Sequence, residues 1–425
     1  MNKYKFPINL FISLALLSFM PFIYEIIRSN LIANIPSTDG FSISGHIEWF
    51  DLINETIQAF LIVPLYCLFN KVIDNKEAFK QRINQTFFIS FIIYTLFSII
   101  ILLTCKNIVK SMTSNNIAEV TAYLRLETLS FIAANFVSFT SVLFVVLDKP
   151  KYIYFTIILK TLFTIIGDLV LIPNLGVNGI AYSNISVNIA IDILCILVLR
   201  KEDLFIKPNF KFSKDFIIDY IKIGLFSGSE ILLNNIIYIV VVCKMVNKIN
   251  EQGNYWIANN IVWGLLLIPI TALTEIIKKD CKYKLNKNHF KIYFKVASIS
   301  FILWLLFIPV LNPFLKNIMG ISNYRDISKI ITLLIPFYFA YGISAIFDSI
   351  LIGKGKSNYL FGISLIINLI YYPIIYITVK KEIFTPSITF ICIMFGLGIL
   401  IHAVMSIIFY NIYKIREKNF ISIKN

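Results

Sequence analysis

Charged residues make up only 15% of the 425-residue chain, and histidine occurs three times, at positions 46, 289 and 402. So scattered a set excludes a zinc site built from closely spaced ligands. Six cysteines, at 67, 105, 195, 243, 281 and 392, include no CxxC pair and no ligand spacing, so they read as buried or interfacial thiols rather than a disulfide framework. Acidic residues are the scarcer sign, 24 against 39 Lys and Arg. The resulting net charge of +15 looks like a nucleic-acid signal. The basic residues, however, collect in loops on one side of the apolar runs, which is the positive-inside pattern, and no nucleic-acid partner is expected.

What is there is apolar sequence in quantity. Hydrophobic residues make up 58% of the chain, and the mean hydropathy is +0.78. They come in runs of about 20 residues rather than in amphipathic stripes, the length that crosses a bilayer as a helix. Twelve such runs, from 8–33 to 385–412, predict an all-α, polytopic membrane protein in contact with the lipid bilayer. The first run has a weakly basic start, Lys3 and Lys5, is longer than a signal-peptide core and lacks a small-residue cleavage site, so it is expected to stay as a membrane helix. Lys71, Lys76, Lys80 and Arg82, then Lys201, Lys207, Lys211 and Lys214, then Lys278, Lys279, Lys282, Lys284 and Lys287 mark one side; loops 34–45 and 173–176 carry no Lys or Arg. Both termini are therefore expected in the cytoplasm. The Ile/Lys/Asn-heavy composition points to a bacterial cell membrane, and a monomer is expected.

Shifting the sequence by 205 residues aligns FLIVPLYCL (60–68) with LLLIPITAL (265–273), matching Pro64 to Pro269. The same offset pairs Glu25 with Glu230, Asn30 with Asn235 and Asn54 with Asn259, and sets Lys149-Pro150-Lys151 against Lys354-Gly355-Lys356. The expected domains are an N-terminal lobe (1–199), a cytoplasmic linker (200–214) and a C-terminal lobe (215–425), each lobe with six helices. An even number gives both halves the same topology, related by a pseudo-two-fold axis along the membrane normal. Two packed bundles with a cleft between them imply alternating access, and no filter loop indicates a channel.

Charged residues inside the apolar runs are few. A carboxylate at mid-membrane costs about 2.5–3.5 kcal/mol on the insertion scale, and such groups face protein interiors or ion pathways. Asp168 in the fifth run is the first candidate. Glu25 (first run), Glu127 (fourth) and Asn184 (sixth) are expected at similar depth, and their oxygens would suit Na⁺ or H⁺; no other metal is expected. The plainer readings are a structural Asp168, Glu25 paired with Arg28, Glu127 with Arg125 and Asp192 with Lys160. Asn184, Asn188 and Asp192 share one helix face at four-residue spacing. A second set, Asn54, Glu55, Glu230, Asn259 and Asn260, is expected to line the cleft and to suit an amphipathic cation. Its plainer reading is interhelical hydrogen bonding of the amides. Asp348 is expected near the interface or Lys354, in a structural role.

Several motifs carry a resemblance. LDKPK (147–151) is followed by Asp168 and then by GVNGIAYSN (176–184), which is similar to a small-residue run of the multidrug and toxic compound extrusion (MATE) family. Tyr123-Leu124-Arg125, NYWIANNIVWGLLLIP (254–269) and GKGKS (353–357) also resemble family features. The resemblance spans the chain and implies a twelve-helix, two-lobe antiporter exporting organic cations or drugs in exchange for Na⁺ or H⁺, with no other cofactor and no enzymatic activity. It implies a cation site at Asp168, with Asn184 in place of the family's Thr. Thr164 stands where the family has Asn, and the first-helix Asp has no clear match beyond Glu25 or Asn34. Glu230 lies about a turn from a Glu that serves another branch, and Asp348 does not align with that branch's Asp. The rival readings are a flippase for lipid-linked oligosaccharides of the same superfamily, which would want several Arg or Lys in its cavity, a membrane-embedded transferase and a non-transporting scaffold.

Overall fold

The computed structural model describes residues 4–33, 43, 47–112, 116–204, 212–249, 251–321 and 323–424, and these form helices and turns with no strand among them. Ten helices are long and apolar enough to cross a membrane, and a bent pair, Gly253–Leu266 with Ile268–Asp280, makes an eleventh span. The N-terminal helix, with a shorter apolar stretch at Ile8–Tyr24, makes the twelfth. By contact the chain divides into two compact units, Ile12–Gly224 and Leu225–Asn425 together with Met1–Phe11. Most of the expected linker, 205–211, lies outside the described residues.

The first unit contains α1 (Ile8–Ala33, from Ile12 on), α2 (Ile47–Leu61), α3 (Val63–Asn70), α4 (Lys76–Met112), α5 (Ile117–Val146), α6 (Pro150–Leu175), α7 (Asn178–Lys201) and the start of α8 (Lys214–Ile237). Leu65, Phe69, Ile83, Phe139 and Leu143 are fully buried in it, whereas Leu96, Ile100 and Leu103 along α4 are exposed. So continuous an apolar outer face is tolerated where the solvent is lipid. α4 extends well beyond its apolar run, because hydropathy marks the part of a helix that sits in hydrocarbon and not its ends. α6 likewise runs through Pro173, with the Asn174 side chain donating to the Val170 carbonyl (2.7 Å) at the distorted turn.

The second unit contains the remainder of α8, a π-helical turn (Tyr238–Cys243), α9 (Lys244–Lys248), α10 (Gln252–Ile261), α11 (Ile268–Asp280), α12 (Lys287–Pro313), α13 (Tyr324–Gly353), α14 (Ser357–Ile366), α15 (Tyr372–Lys380) and α16 (Ile388–Lys424). Tyr293, Leu334, Tyr338 and Leu351 lie at its core. At one end, Tyr4 and Tyr293 both donate to the buried Asp280 carboxylate, the latter at 2.8 Å, and Asn286 caps α12 in a reciprocal box with His289.

The aligned prolines break their helices at equivalent points. Pro64 has no N–H for the Phe60 carbonyl, and the Leu65 N–H turns to the Ile62 carbonyl (3.1 Å). The Tyr220 hydroxyl donates to the Leu61 carbonyl at 2.8 Å. One turn further along α8, a Cβ on Gly224 would stand 2.5 Å from the Phe60 carbonyl oxygen, so only glycine allows that approach. In the second unit the bend between Gly253–Leu266 and Ile268–Asp280 is 51°. There the Trp304 Nε1–H donates to the Leu266 carbonyl at 2.7 Å. Leu61 and Leu266 are 205 residues apart, so the repeat extends to how each break is closed. Removing either donor leaves a buried carbonyl, which costs about 1–3 kcal/mol. Tyr220→Phe and Trp304→Phe should each lower the unfolding midpoint in detergent correspondingly; an unchanged midpoint in both would mean that water serves these carbonyls.

The basic ends are laced by ion pairs. Lys149 reaches Glu202 (3.0 Å), Lys76 and Lys80 reach Asp203 (3.1 and 2.6 Å), and Lys71 reaches Asp219 (2.5 Å). Tyr152 also donates to Glu202, and that hydrogen bond, followed by Lys149, holds the Glu202 carboxyl below its ordinary value. A carboxylate lowered on folding stabilises the protein above its unfolded-state pKa, and the gain is lost as pH falls through the folded-state value. The thermal advantage of the wild type over Glu202→Gln should therefore be present at neutral pH and vanish below about pH 4.

Candidate functional site

α6 and α7 pack side by side after a tight turn. A Cβ at Gly179 would lie 2.4 Å from the Leu171 carbonyl oxygen, so glycine there lets the two helices close up. Lys160, Thr164 and Asp168 follow one another at four-residue spacing on α6, as Asn184, Asn188 and Asp192 do on α7. Each trio therefore lies along one face of its helix.

Asp168, 1% exposed, receives Arg28 of α1: Nε to Oδ2 at 2.9 Å and Nη2 to Oδ1 at 3.3 Å. The same Nη2 donates to Asn184 Oδ1 at 3.0 Å. Asn184 then donates through Nδ2 to both oxygens of Glu127 on α5, at 2.9 and 3.2 Å. Glu127 is itself 2% exposed and accepts a further bond from Tyr123. Arg28 also lies over the Tyr24 ring, 5.6 Å from its centroid. Four helices thus converge on one buried network holding a guanidinium, two carboxylates and an amide. With both carboxylates ionised its charge is −1.

The network joins Asp168, Asn184 and Glu127. Glu25 lies on α1, but its side chain is outside the described residues. Arg28 bonds to Asp168 and Asn184, at the place where an external cation was expected. Arg125 is exposed, and the groups bonded to Glu127 are Asn184 and Tyr123 instead. Sequence reasoning left Arg28 and Tyr123 out of the site. The available signal was a lone Arg in an apolar helix at the depth assigned to Asp168, and the nearer Glu25 at i−3 drew it away.

The residues assigned to the cleft are described within their own units. Asn54 accepts from Tyr94, and Glu55 is exposed. In the second unit Asn259 has a buried Oδ1 without a hydrogen-bond partner, and Asn260 is exposed. Glu230 lies half-buried within the electrostatic reach of His402 and Asp348. Asp348 pairs with His402 Nε2 at 3.0 Å, whereas Lys354 donates to the Cys281 carbonyl at 2.6 Å. The expected Asp348–Lys354 approach is replaced by a partner 54 residues away on α16. Asn234, one turn beyond Glu230, accepts from Ser364 (2.7 Å) and Asn368 (2.6 Å). Among the described residues no group of three or more His, Cys, Asp and Glu could hold a metal ion.

No family model matches the chain, and no curated protein matches it in sequence. Solved structures do. An outward-facing multidrug resistance MATE family transporter of the MOP superfamily superposes with a TM-score of 0.82 over 96% of this chain and 95% of its own, at 15% identity. The chain has the MATE fold. A MOP superfamily transporter from Pyrococcus furiosus, described as having a binding pocket of reversed polarity, gives the same TM-score, coverage and identity. A variant of a Vibrio cholerae MATE transporter also gives 0.82, at 14% identity over 95% of both chains.

Proposed function

We propose that the protein is a secondary active exporter of amphipathic organic cations, working by alternating access and driven by inward movement of H⁺ or Na⁺. The observation that carries this reading is the Arg28–Asp168–Asn184–Glu127 network. Four helices share one buried ionic site, so a change of charge there can bias how they pack, and a ligand shifts such an equilibrium only through different affinity for the two states. The network favours H⁺ over Na⁺. Arg28 takes up Asp168 and the Asn184 carbonyl oxygen, and Glu127 is already bonded by Asn184 and Tyr123. Few oxygens remain to coordinate Na⁺, but one proton on Glu127 would bring the charge from −1 to zero. Protonation would also remove an acceptor from Asn184 and loosen its hold on Arg28.

The rival, a flippase for lipid-linked oligosaccharides, gains from the cationic groups Arg28 and Lys160 in the first unit. Arg28 is compensated by Asp168, however, and the residues assigned to the cleft are acidic or amide. The test is efflux of a fluorescent organic cation from proteoliposomes under imposed proton and Na⁺ gradients, run separately. Proton-driven efflux is expected. If neither gradient moves any cation, the exporter reading is wrong, and lipid-linked sugars become the substrates to assay.

A further inference from the structure

Two ionisable groups of the first unit take no part in the hydrogen bonds of the Arg28 network. Lys160 stands about two turns before Asp168 on α6, and Asp192 about two turns after Asn184 on α7. The expected Lys160–Asp192 ion pair does not form among the described residues, and the two act on each other through charge. Lys160 is also within the electrostatic reach of Arg28, so its charge links the network to Asp192.

Buried polar groups fill the interval along the seam where α6 and α7 pack. Thr164 lies between Lys160 and Asp168, and Asn188 between Asn184 and Asp192; both are buried. Asn188 donates to the Ser130 hydroxyl of α5 at 3.1 Å. Its Oδ1 is buried without a hydrogen-bond partner, and so is the Oδ1 of Asp192, about 6 Å further along the helix. Two buried acceptors without donors are costly, and an ionised Asp192 relieves neither. A protonated Asp192 is itself a donor, with an acceptor one turn away on the same face. Toward α4 and α5 Asp192 borders phenylalanines and no charge. Lys160 is thus the charge that acts on it from another helix, and Cys195 is the next titratable group on α7. Beyond Lys160 the row on α6 continues in the buried Thr156 and Tyr152, and Tyr152 donates to Glu202 at the basic end.

Arg28 and Lys160 against Glu127, Asp168 and Asp192 sum to −1, and one proton makes the set neutral. We propose that Asp192 is a second proton site, which receives the proton taken up at Glu127. Glu127 returns to its carboxylate as Asp192 becomes the acid, so the transfer leaves the net buried charge unchanged. Asp192 then releases the proton toward Tyr152, Glu202 and water at the basic end. That this proton drives export rests on the function proposed above; that Asp192 binds one does not.

Occupancy is tested by infrared difference spectroscopy of the full chain in lipid nanodiscs, between weakly acidic and weakly alkaline buffer, without gradient or substrate. A carboxyl band that is lost in Asp192→Asn and shifted in Asn188→Ala is expected; if no band follows Asp192, the proposal is overturned. Passage is tested in proteoliposomes, by comparing proton-driven efflux with substrate exchange in the absence of a gradient. Asp192→Asn should slow proton-driven efflux at least tenfold, raise its solvent deuterium isotope effect and leave exchange at the wild-type rate. Asp192→Glu should restore the driven rate. Wild-type driven efflux in Asp192→Asn overturns the proposal. So does an equal loss of exchange, which would give Asp192 a role in the fold or in substrate binding. An infrared band from Asp192 in a protein without proton-driven efflux supports the proton site and overturns the coupling reading alone.

Discussion

Arg28→Ala should destabilise the protein by about 3–5 kcal/mol, the usual cost of removing one partner from a buried ion pair. The expectation follows from Asp168, which is 1% exposed and holds Arg28 through two hydrogen bonds. Without the guanidinium the carboxylate is left with its charge in a low-dielectric interior, and Asn184 loses the donor to its Oδ1. The double variant Arg28→Ala with Asp168→Asn should recover much of that loss, because the stranded charge goes with its partner. Denaturant unfolding in mixed micelles, arranged as a double-mutant cycle, reads the coupling. A coupling energy below about 0.5 kcal/mol would place the two residues in separate environments and remove the network from the mechanism. Asp168→Asn alone tests the original expectation for this helix: if an external cation were held by Asp168, transport would fail with little loss of stability, whereas here stability should fall too, because Arg28 stays buried without its counter-charge.

Glu127→Gln should leave the fold intact and uncouple transport from the proton gradient. Glutamine keeps the shape of the side chain and an acceptor for the Asn184 Nδ2–H, so the α5–α7 contact survives. What it removes is a carboxylate that no cation among the described residues pairs directly. Proton-driven efflux is expected to fall about 5- to 150-fold, the usual size of coupling between two ligands of one protein, while substrate moving down its own gradient still crosses. If Glu127→Gln retains proton-driven concentrative efflux, the coupling group lies elsewhere, and the Glu230–Asp348–His402 cluster of the second unit is the next set of titratable side chains to vary.

Much of the site was legible before the fold. Asp168, Asn184 and Glu127 were singled out because a carboxylate or amide in an apolar run has to be satisfied by protein, and the count of helices placed them at similar depth. The partners were less legible. Arg28 is three residues from Glu25 and 140 from Asp168, and local spacing favoured the near pair over the distant one. His402 likewise meets Asp348 across 54 residues, a pairing that no local spacing marks.

The sequence by itself determined that this is an all-helical membrane protein of two repeated halves. Hydrophobic length, the asymmetry of Lys and Arg, and the 205-residue offset are local or one-dimensional properties, and the solvent acts on them directly. Pro64 and Pro269 mark the repeat in the sequence, but proline alone does not decide a break, since α6 runs on through Pro173. Only the tertiary structure decided which groups satisfy the buried charges. Tyr220 and Gly224 meet the break at Pro64, Trp304 closes the break at Pro269, and Arg28 rather than an external ion sits on Asp168. Those choices depend on packing between helices far apart in the chain, where a few ångströms decide between an ion site open to solvent and one that already holds its own cation.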